Sequence, residues 1–197
     1  VCLIQVKRIP LLSDQDLVTK ICRGETRRFG ELIDRYQRLV VHIVYRMTNE
    51  RQVSEDLTQE IFIKIYDSLA GFRFDSKLST WISRIAYNTC INYLRKEKPL
   101  SLEDLPENRD TGEWLVSPDR PDEFTEHNDQ SRYIMELIKQ LPAVYRAIVT
   151  MFHLQEMSYR EIAEVVDMPE GTVKSYLFRA RKILREHLVA AEEGVIS

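Results

Sequence analysis

From Phe29 to Met47 the apolar side chains Phe29, Leu32, Ile33, Tyr36, Val40, Ile43, Val44 and Met47 recur three and four residues apart. That spacing returns to one side of an α-helix at every turn and to neither side of a strand. It therefore fixes a long amphipathic helix whose apolar stripe other helices must cover. A second helix is expected from about Ser54, whose hydroxyl is placed to cap the first amides, through Leu57, Ile61, Ile65 and Leu69 to Gly71. A third is expected from Ser79 or Thr80 to Arg95, stopped by Pro99. Only 6 Gly and 7 Pro occur in 197 residues, too few to interrupt this pattern, and the fold class is all-α.

A chain of this length holds one or two domains, and 44% hydrophobic with 30% charged residues is ordinary for a soluble globular protein. No apolar run approaches the roughly 18 residues of a spanning helix. The opening Val1 to Arg8 is too short and interrupted for a secretory signal, and the cysteine usage fits a reducing cytoplasm, which is the expected location. Cys2, Cys22 and Cys90 are odd in number, widely spaced and form no C-x-x-C, so neither a disulfide framework nor a thiolate zinc site is legible. His42, His127, His153 and His187 stand apart from one another and from the cysteines, and four converging metal ligands are not in evidence. No metal or cofactor is expected.

The net charge of −3 conceals a partition. Residues 1–98 carry 17 Lys and Arg against 12 Asp and Glu, residues 99–130 carry 2 against 10, and residues 131–197 carry 9 against 9. An acidic strap with Pro99, Pro106, Pro118 and Pro121 thus joins a basic front to a neutral back, and is too polar to fold alone. The back is itself polarised, since Glu170 to His187 holds five basic residues against two acidic. Electrostatic footprints are local, and this one is basic.

Past the strap, a helix from about Asp129 to Gln140 presents Ile134, Leu137 and Ile138, with Leu141 just beyond, and three shorter helical segments follow. Tyr159, Ile162, Ala163 and Val166 share one helix face, the turn Asp167-Met-Pro-Glu comes next, and a helix begins at Gly171-Thr-Val-Lys. This is a helix-turn-helix layout. In its second helix Val173, Leu177, Ala180, Leu184 and Leu188 face inward, while Lys174, Ser175, Phe178, Arg181, Lys182 and Arg185 face out. A basic stripe that starts at a helix N-terminus suits a major groove, with base edges met by the first turn and phosphates by the later cations.

A second nucleic-acid surface is expected in the front half. Helical steps align Trp81, Arg84, Asn88, Asn92 and Arg95 opposite Ile82, Ile85, Ala86 and Leu94. An aromatic, two amides and two guanidinium groups on one face supply stacking, base-edge partners and phosphate neutralisation, the needs of single-stranded or melted DNA. The preceding Gly71-Phe-Arg-Phe-Asp-Ser-Lys-Leu-Ser is a loop able to cradle an unstacked base.

These segments carry a resemblance. Asp56-Leu-Thr-Gln-Glu-Ile-Phe-Ile-Lys-Ile-Tyr, Phe72-Arg-Phe-Asp-Ser-Lys-Leu-Ser-Thr-Trp-Ile-Ser-Arg-Ile-Ala-Tyr-Asn, Leu141-Pro-x-x-Tyr-Arg and Gly171-Thr-Val-Lys-Ser resemble, in order and separation, the extracytoplasmic-function sigma factors of bacterial RNA polymerase. The resemblance implies an N-terminal extension at 1–12, sigma domain two over 13–98, an acidic flexible linker over 99–128, sigma domain four over 129–190 and a tail at 191–197. It implies that Asp56, Gln59, Glu60 and Phe62 dock on the clamp helices of the polymerase β′ subunit, that domain four meets the β flap, and that the linker threads toward the RNA channel. The −10 promoter element would meet Phe72, Arg73, Lys77, Ser79, Thr80, Trp81, Arg84, Asn88, Asn92, Arg95 and Lys96. The −35 element would meet Gly171, Thr172, Val173, Lys174, Ser175, Phe178, Arg179, Arg181 and Lys182. Leu78 and Ser83 depart from the family, which often carries an aromatic and a Tyr there, at the edge of the expected base pocket.

The implied function is promoter recognition and melting by binding, with core RNA polymerase, promoter DNA and an anti-sigma protein as partners. No P-loop, G-x-S-x-G or zincin pattern occurs, so an enzyme is not expected. The rival is a dimeric helix-turn-helix regulator, which leaves the amide-rich front face without a task. A metal hydrolase built on Glu55, Asp56 and Glu60 lacks its third and fourth ligands.

Overall fold

A computed structural model describes residues 12–97 and 128–194. The expected N-terminal extension except Leu12, the strap over 98–127 and residues 195–197 lie outside the described residues. Helix α1 (Asp14–Cys22) opens on Ser13, whose hydroxyl accepts the Asp16 N–H at 3.1 Å. Its Asp14 carboxylate accepts from Arg35 and from the Tyr36 hydroxyl, both at 2.6 Å, and so ties α1 to α2 (Phe29–Thr48). On α2 the expected stripe is covered, with Leu32, Val40, Ile43, Val44 and Met47 fully buried and Leu39 joining them. The helix ends at Asn49 with φ +59, a left-handed position that Asn tolerates.

Helix α3 (Arg51–Ser68) begins one turn before the expected start. Ser54 is not its cap. The Ser54 side chain is buried inside the first turn, donates to the Glu50 carbonyl at 2.6 Å and sits 2.9 Å from the Thr48 hydroxyl. Those two hydroxyls lace the α2–α3 corner, which is why a polar residue stands there. A short 3-10 turn, Leu69–Gly71, follows, and α4 (Leu78–Glu97) starts at Leu78, just ahead of the expected Ser79. Leu78, Ile82, Ala86 and Cys90 of α4 enter the core against α2 and α3.

The back half contains α5 (Asn128–Gln140), α6 (Ala143–His153), α7 (Tyr159–Val166) and α8 (Glu170–Gly194). Helix α7 carries a full capping box: the Ser158 hydroxyl accepts the Glu161 N–H, and the Glu161 carboxylate accepts the Ser158 N–H at 2.8 Å. It stops at Asp167 with φ +56. The last helix is not short: with 25 residues α8 is the longest described, because no Gly or Pro lies between Gly171 and Gly194 to end it.

The front and back groups of helices pack on one another, α2 against α6 and α4 against α7. Polar ties reinforce the seam. Arg146 of α6 donates to the carbonyls of Arg46 at 2.7 Å and Met47 at 2.6 Å, Asn49 donates to the Lys139 carbonyl at 3.1 Å, and Gln155 meets His42 at 3.2 Å. These contacts depend on backbone carbonyls at helix ends, which sequence periodicity does not reveal. Among the described residues no helix is long and apolar enough to cross a membrane.

Candidate nucleic-acid interface

The loop between the 3-10 turn and α4 is organised by three aromatic rings. Phe72 lies 4.6 Å from Phe74 and 5.0 Å from Trp81, centroid to centroid. Phe72 is buried and anchors the loop, Trp81 is half-buried, and Phe74 is 40% exposed. Phe74 has φ +61, a conformation unfavourable for a bulky L-residue. Its sequence signal is its place in the Phe-Arg-Phe-Asp loop.

From this aromatic end a polar stripe runs along α4. Arg84, Asn88, Asn92, Arg95 and Lys96 are exposed, as are Arg73 and Lys77 in the loop, while Ser79 is half-buried. The helical phase expected for this face is therefore the one adopted. Thr80 is only 2% exposed, and its side chain lies beneath the stripe. Phe72 likewise supports the loop from beneath. Leu78 and Ser83, the two departures, are both buried, which accounts for an apolar and a small side chain at those points.

On α8, Gly171, Lys174, Phe178 and Lys182 are exposed, and Thr172, Ser175, Arg179 and Arg181 are half-buried. Val173 is fully buried and belongs to the core, so it is not a surface contact. The Lys174 ammonium lies 5.4 Å from the Tyr159 ring centroid, which holds it over the first helix of the motif. Arg181 turns inward, 5.4 Å from the Phe152 ring and 3.5 Å from His153 Nε2. Burial, with Arg181 beside it, pushes the His153 pKa below its usual value.

On α3 the carboxylates and amide of Asp56, Gln59 and Glu60 are exposed, and Glu60 pairs with Lys64 at 2.6 Å. The Phe62 ring, by contrast, is buried in the core. The apolar side chain that faces outward beside those carboxylates is Ile63, 62% exposed, which a helical-phase count around Ile61 and Ile65 would have identified.

A loop cation and an α4 cation lie near carboxylates of α7 and of the residue that ends it. Lys77 Nζ lies 2.8 Å from Glu161 Oε1, and Arg84 lies 4.0 Å from Asp167. The Lys77 ammonium, aided by the Ser158 donors, holds the Glu161 carboxyl down at about 2. The arrangement can bind polyanions and stack bases; among the described residues no cluster of His, Cys, Asp or Glu is fit to hold a metal.

Comparison with known proteins follows this division of the chain. A family model described as sigma-70 region 2 matches residues 32–99, and one described as sigma-70 region 4 matches residues 131–184. The chain is 35% identical over 183 residues to the ECF RNA polymerase sigma-E factor of Haemophilus influenzae, covering 90% of this chain and 96% of the relative. It is 37% identical over 178 residues to the ECF RNA polymerase sigma-E factor of Escherichia coli K12, covering 88% and 93%. Among solved structures, CnrH in complex with the cytosolic domain of CnrY superposes with a TM-score of 0.64 at 19% identity, covering 90% of this chain and 97% of that one. The fold is shared with the sigma factor RpoE of Bartonella quintana, at a TM-score of 0.60 and 21% identity over 81% and 96%.

Proposed function

The chain belongs to the extracytoplasmic-function sigma factors of the sigma-70 family, which initiate transcription by binding and not by catalysis, and from that premise we propose how its residues divide the work. The front helices, residues 13–98, dock on core RNA polymerase through Asp56, Gln59 and Glu60 with Ile63 beside them, and take the −10 element on α4. The back helices, residues 129–190, read the −35 element with Thr172, Lys174, Ser175, Phe178 and Arg179. The acidic residues 99–128 link the two units and approach the RNA channel of the polymerase, which places the chain in the cytoplasm.

One observation supports the −10 assignment above the others: the exposed stripe of Arg84, Asn88, Asn92 and Arg95 leads away from the aromatic group of Phe72, Phe74 and Trp81. Capture of an unstacked base on such a surface offsets a few kcal/mol of unstacking and unpairing, and so biases the duplex toward opening. A dimeric regulator would not need it, and the region 2 match accounts for that half of the chain. A protein that masks the chain is the remaining partner. RpoE of Bartonella quintana is described in complex with the anti-sigma factor NepR, and CnrH with the cytosolic domain of CnrY.

The test is permanganate footprinting of promoter complexes formed with core polymerase. Arg84→Ala and Asn88→Ala are expected to lose reactivity of melted thymines while retaining duplex binding. Normal melting in both variants would remove α4 from the −10 role.

A further inference from the structure

Two cations of α8 rest on one pair of stacked aromatic rings. Lys174 and Arg181 stand seven residues apart, hence two turns and ~10 Å along the same side of the helix. The Lys174 ammonium lies 5.4 Å from the centroid of the Tyr159 ring, and the Arg181 guanidinium 5.4 Å from that of Phe152. The two rings are themselves stacked, 5.0 Å apart and 18° from parallel. Phe152 stands in the last turn of α6 and Tyr159 is the first residue of α7, so the shelf and its cations draw on three helices. The capping box at Ser158 fixes the first turn of α7 and with it the base of the Tyr159 side chain. Both rings are half-buried, whereas Met151 and Met157, next to them in the chain, are in the core. The ring pair therefore lies at the rim of the core, where α8 passes over it.

A neutral ring suits a cation that must meet phosphate. A carboxylate in its place would also hold the ammonium, but it would cancel the charge and repel the phosphate backbone; Lys182, 3.9 Å from Glu186, shows that arrangement on the same helix. The ring attracts the cation through its quadrupole and leaves its whole charge for the duplex. A lysine stem also has many rotamers to lose, and one already laid along a ring loses fewer of them on contact with a phosphate. Arg181 is placed differently. It is half-buried, its Nε is enclosed without a hydrogen-bond partner and its Nη2 lies 3.5 Å from His153 Nε2, so its guanidinium is directed into the protein.

We propose that Tyr159, backed by Phe152, is a positioning residue for duplex recognition: it presets the Lys174 ammonium for a phosphate of the −35 element, while Arg181 braces the other ring and makes no contact with DNA. The proposal rests on the assignment of α8 to the −35 duplex. It gives two aromatic side chains outside α8 a task in that recognition, and it divides the basic stripe of α8 into a cation offered to DNA and one retained by the protein.

The test uses the full chain and a fluorescein-labelled, random-sequence duplex of about 20 base pairs, because a phosphate contact does not depend on sequence, with anisotropy titrations between ~50 and ~200 mM salt. Tyr159→Leu is expected to weaken binding about threefold, and Tyr159→Phe, which keeps the ring, to retain it. In a chain that already carries Lys174→Ala, Tyr159→Leu should cost nothing further, since the ring acts through that lysine. Arg181→Gln should leave the slope of log affinity against log salt unchanged, unlike Lys174→Ala. A loss from Tyr159→Leu of the same size with and without Lys174 would make the ring a packing residue only, and a slope reduced by about 0.9 in Arg181→Gln would place Arg181 on DNA. Either result overturns the proposal while leaving α8 on the −35 duplex, and so does an unchanged affinity in Lys174→Ala. No binding by the unaltered chain even at ~50 mM salt would remove the assignment of α8 to duplex, and the proposal with it.

Discussion

Arg146 Nη2 donates to the main-chain carbonyl of Met47 at 2.6 Å and thereby fastens the first turn of α6 to the last turn of α2. The same guanidinium donates to the carbonyls of Arg46, Lys139 and Leu141. Helices α2 and α5 both end at this point, so the cation lies where two sets of C-terminal carbonyls converge and the helix dipoles favour positive charge. Burial lowers the Arg146 pKa, but arginine stays charged. Arg146→Gln is expected to lower stability by about 3 kcal/mol in urea unfolding. Arg146→Lys should recover only part, because an ammonium cannot reproduce the planar fork. A loss within measurement error in Arg146→Gln would show the four carbonyls to be satisfied by solvent.

Phe74 holds an exposed ring on a backbone conformation that opposes it. If the ring stacks on a base, Phe74→Ala should weaken binding of a single-stranded oligonucleotide by about tenfold, since one stacked base is worth ~1–3 kcal/mol. Phe74→Gly should weaken binding similarly but raise the unfolding midpoint, because glycine adopts φ +61 without strain. Unchanged binding in both variants would make Phe74 a packing residue for Phe72 alone.

Two half-buried histidines are held below their usual pKa. His42, at the α2–α6 seam beside Gln155, is held below its usual pKa by burial and by Arg38 and Arg46; His153 is held down by burial and Arg181. The folded state therefore binds these protons less readily than the unfolded chain, so their contribution is complete above pH ~6.5 and is lost as the pH falls below it. Glu161 has its pKa lowered to about 2, so its contribution is present above the ordinary carboxylate range and disappears only as the pH falls through that value. Urea midpoints should decline between pH 7.5 and 5.5, and His42→Gln with His153→Gln should flatten that decline. A flat profile in the unaltered chain would contradict the assignment.

Lys174 stands on the first turn of the exposed α8 face, close to the Tyr159 ring. As a phosphate contact it should contribute to counterion release, so Lys174→Ala is expected to weaken duplex promoter binding and to reduce the slope of log affinity against log salt by about 0.9. An unchanged slope would leave Lys174 as a surface residue held by the aromatic ring.

The helices and their phases were legible because burial is periodic: the stripe of α2, the polar face of α4 and the inward positions Val173, Leu177 and Ala180 of α8 all follow from spacing. Helix ends were less so. Ser54 resembles a cap in isolation, yet its hydroxyl serves the α2–α3 corner through Thr48. Phe62, Phe72 and Thr80 share segments with exposed functional candidates but are covered by neighbouring helices, a tertiary fact that local motif residues do not encode. The seam was hidden for the same reason. Arg146 and Asn49 bond to main-chain carbonyls, which carry no residue signature, and Glu161 meets Lys77 across a packing that only the folded chain brings about.

Reconstitution with core RNA polymerase and a library of promoter sequences, with mapping of transcript 5′ ends, tests the central claim most directly. Addition of the chain to core enzyme should give starts at fixed distances downstream of a shared pair of sequence elements, and Arg84→Ala should reduce those starts. Transcripts that begin without regard to sequence, or a chain that does not bind core enzyme, would contradict it.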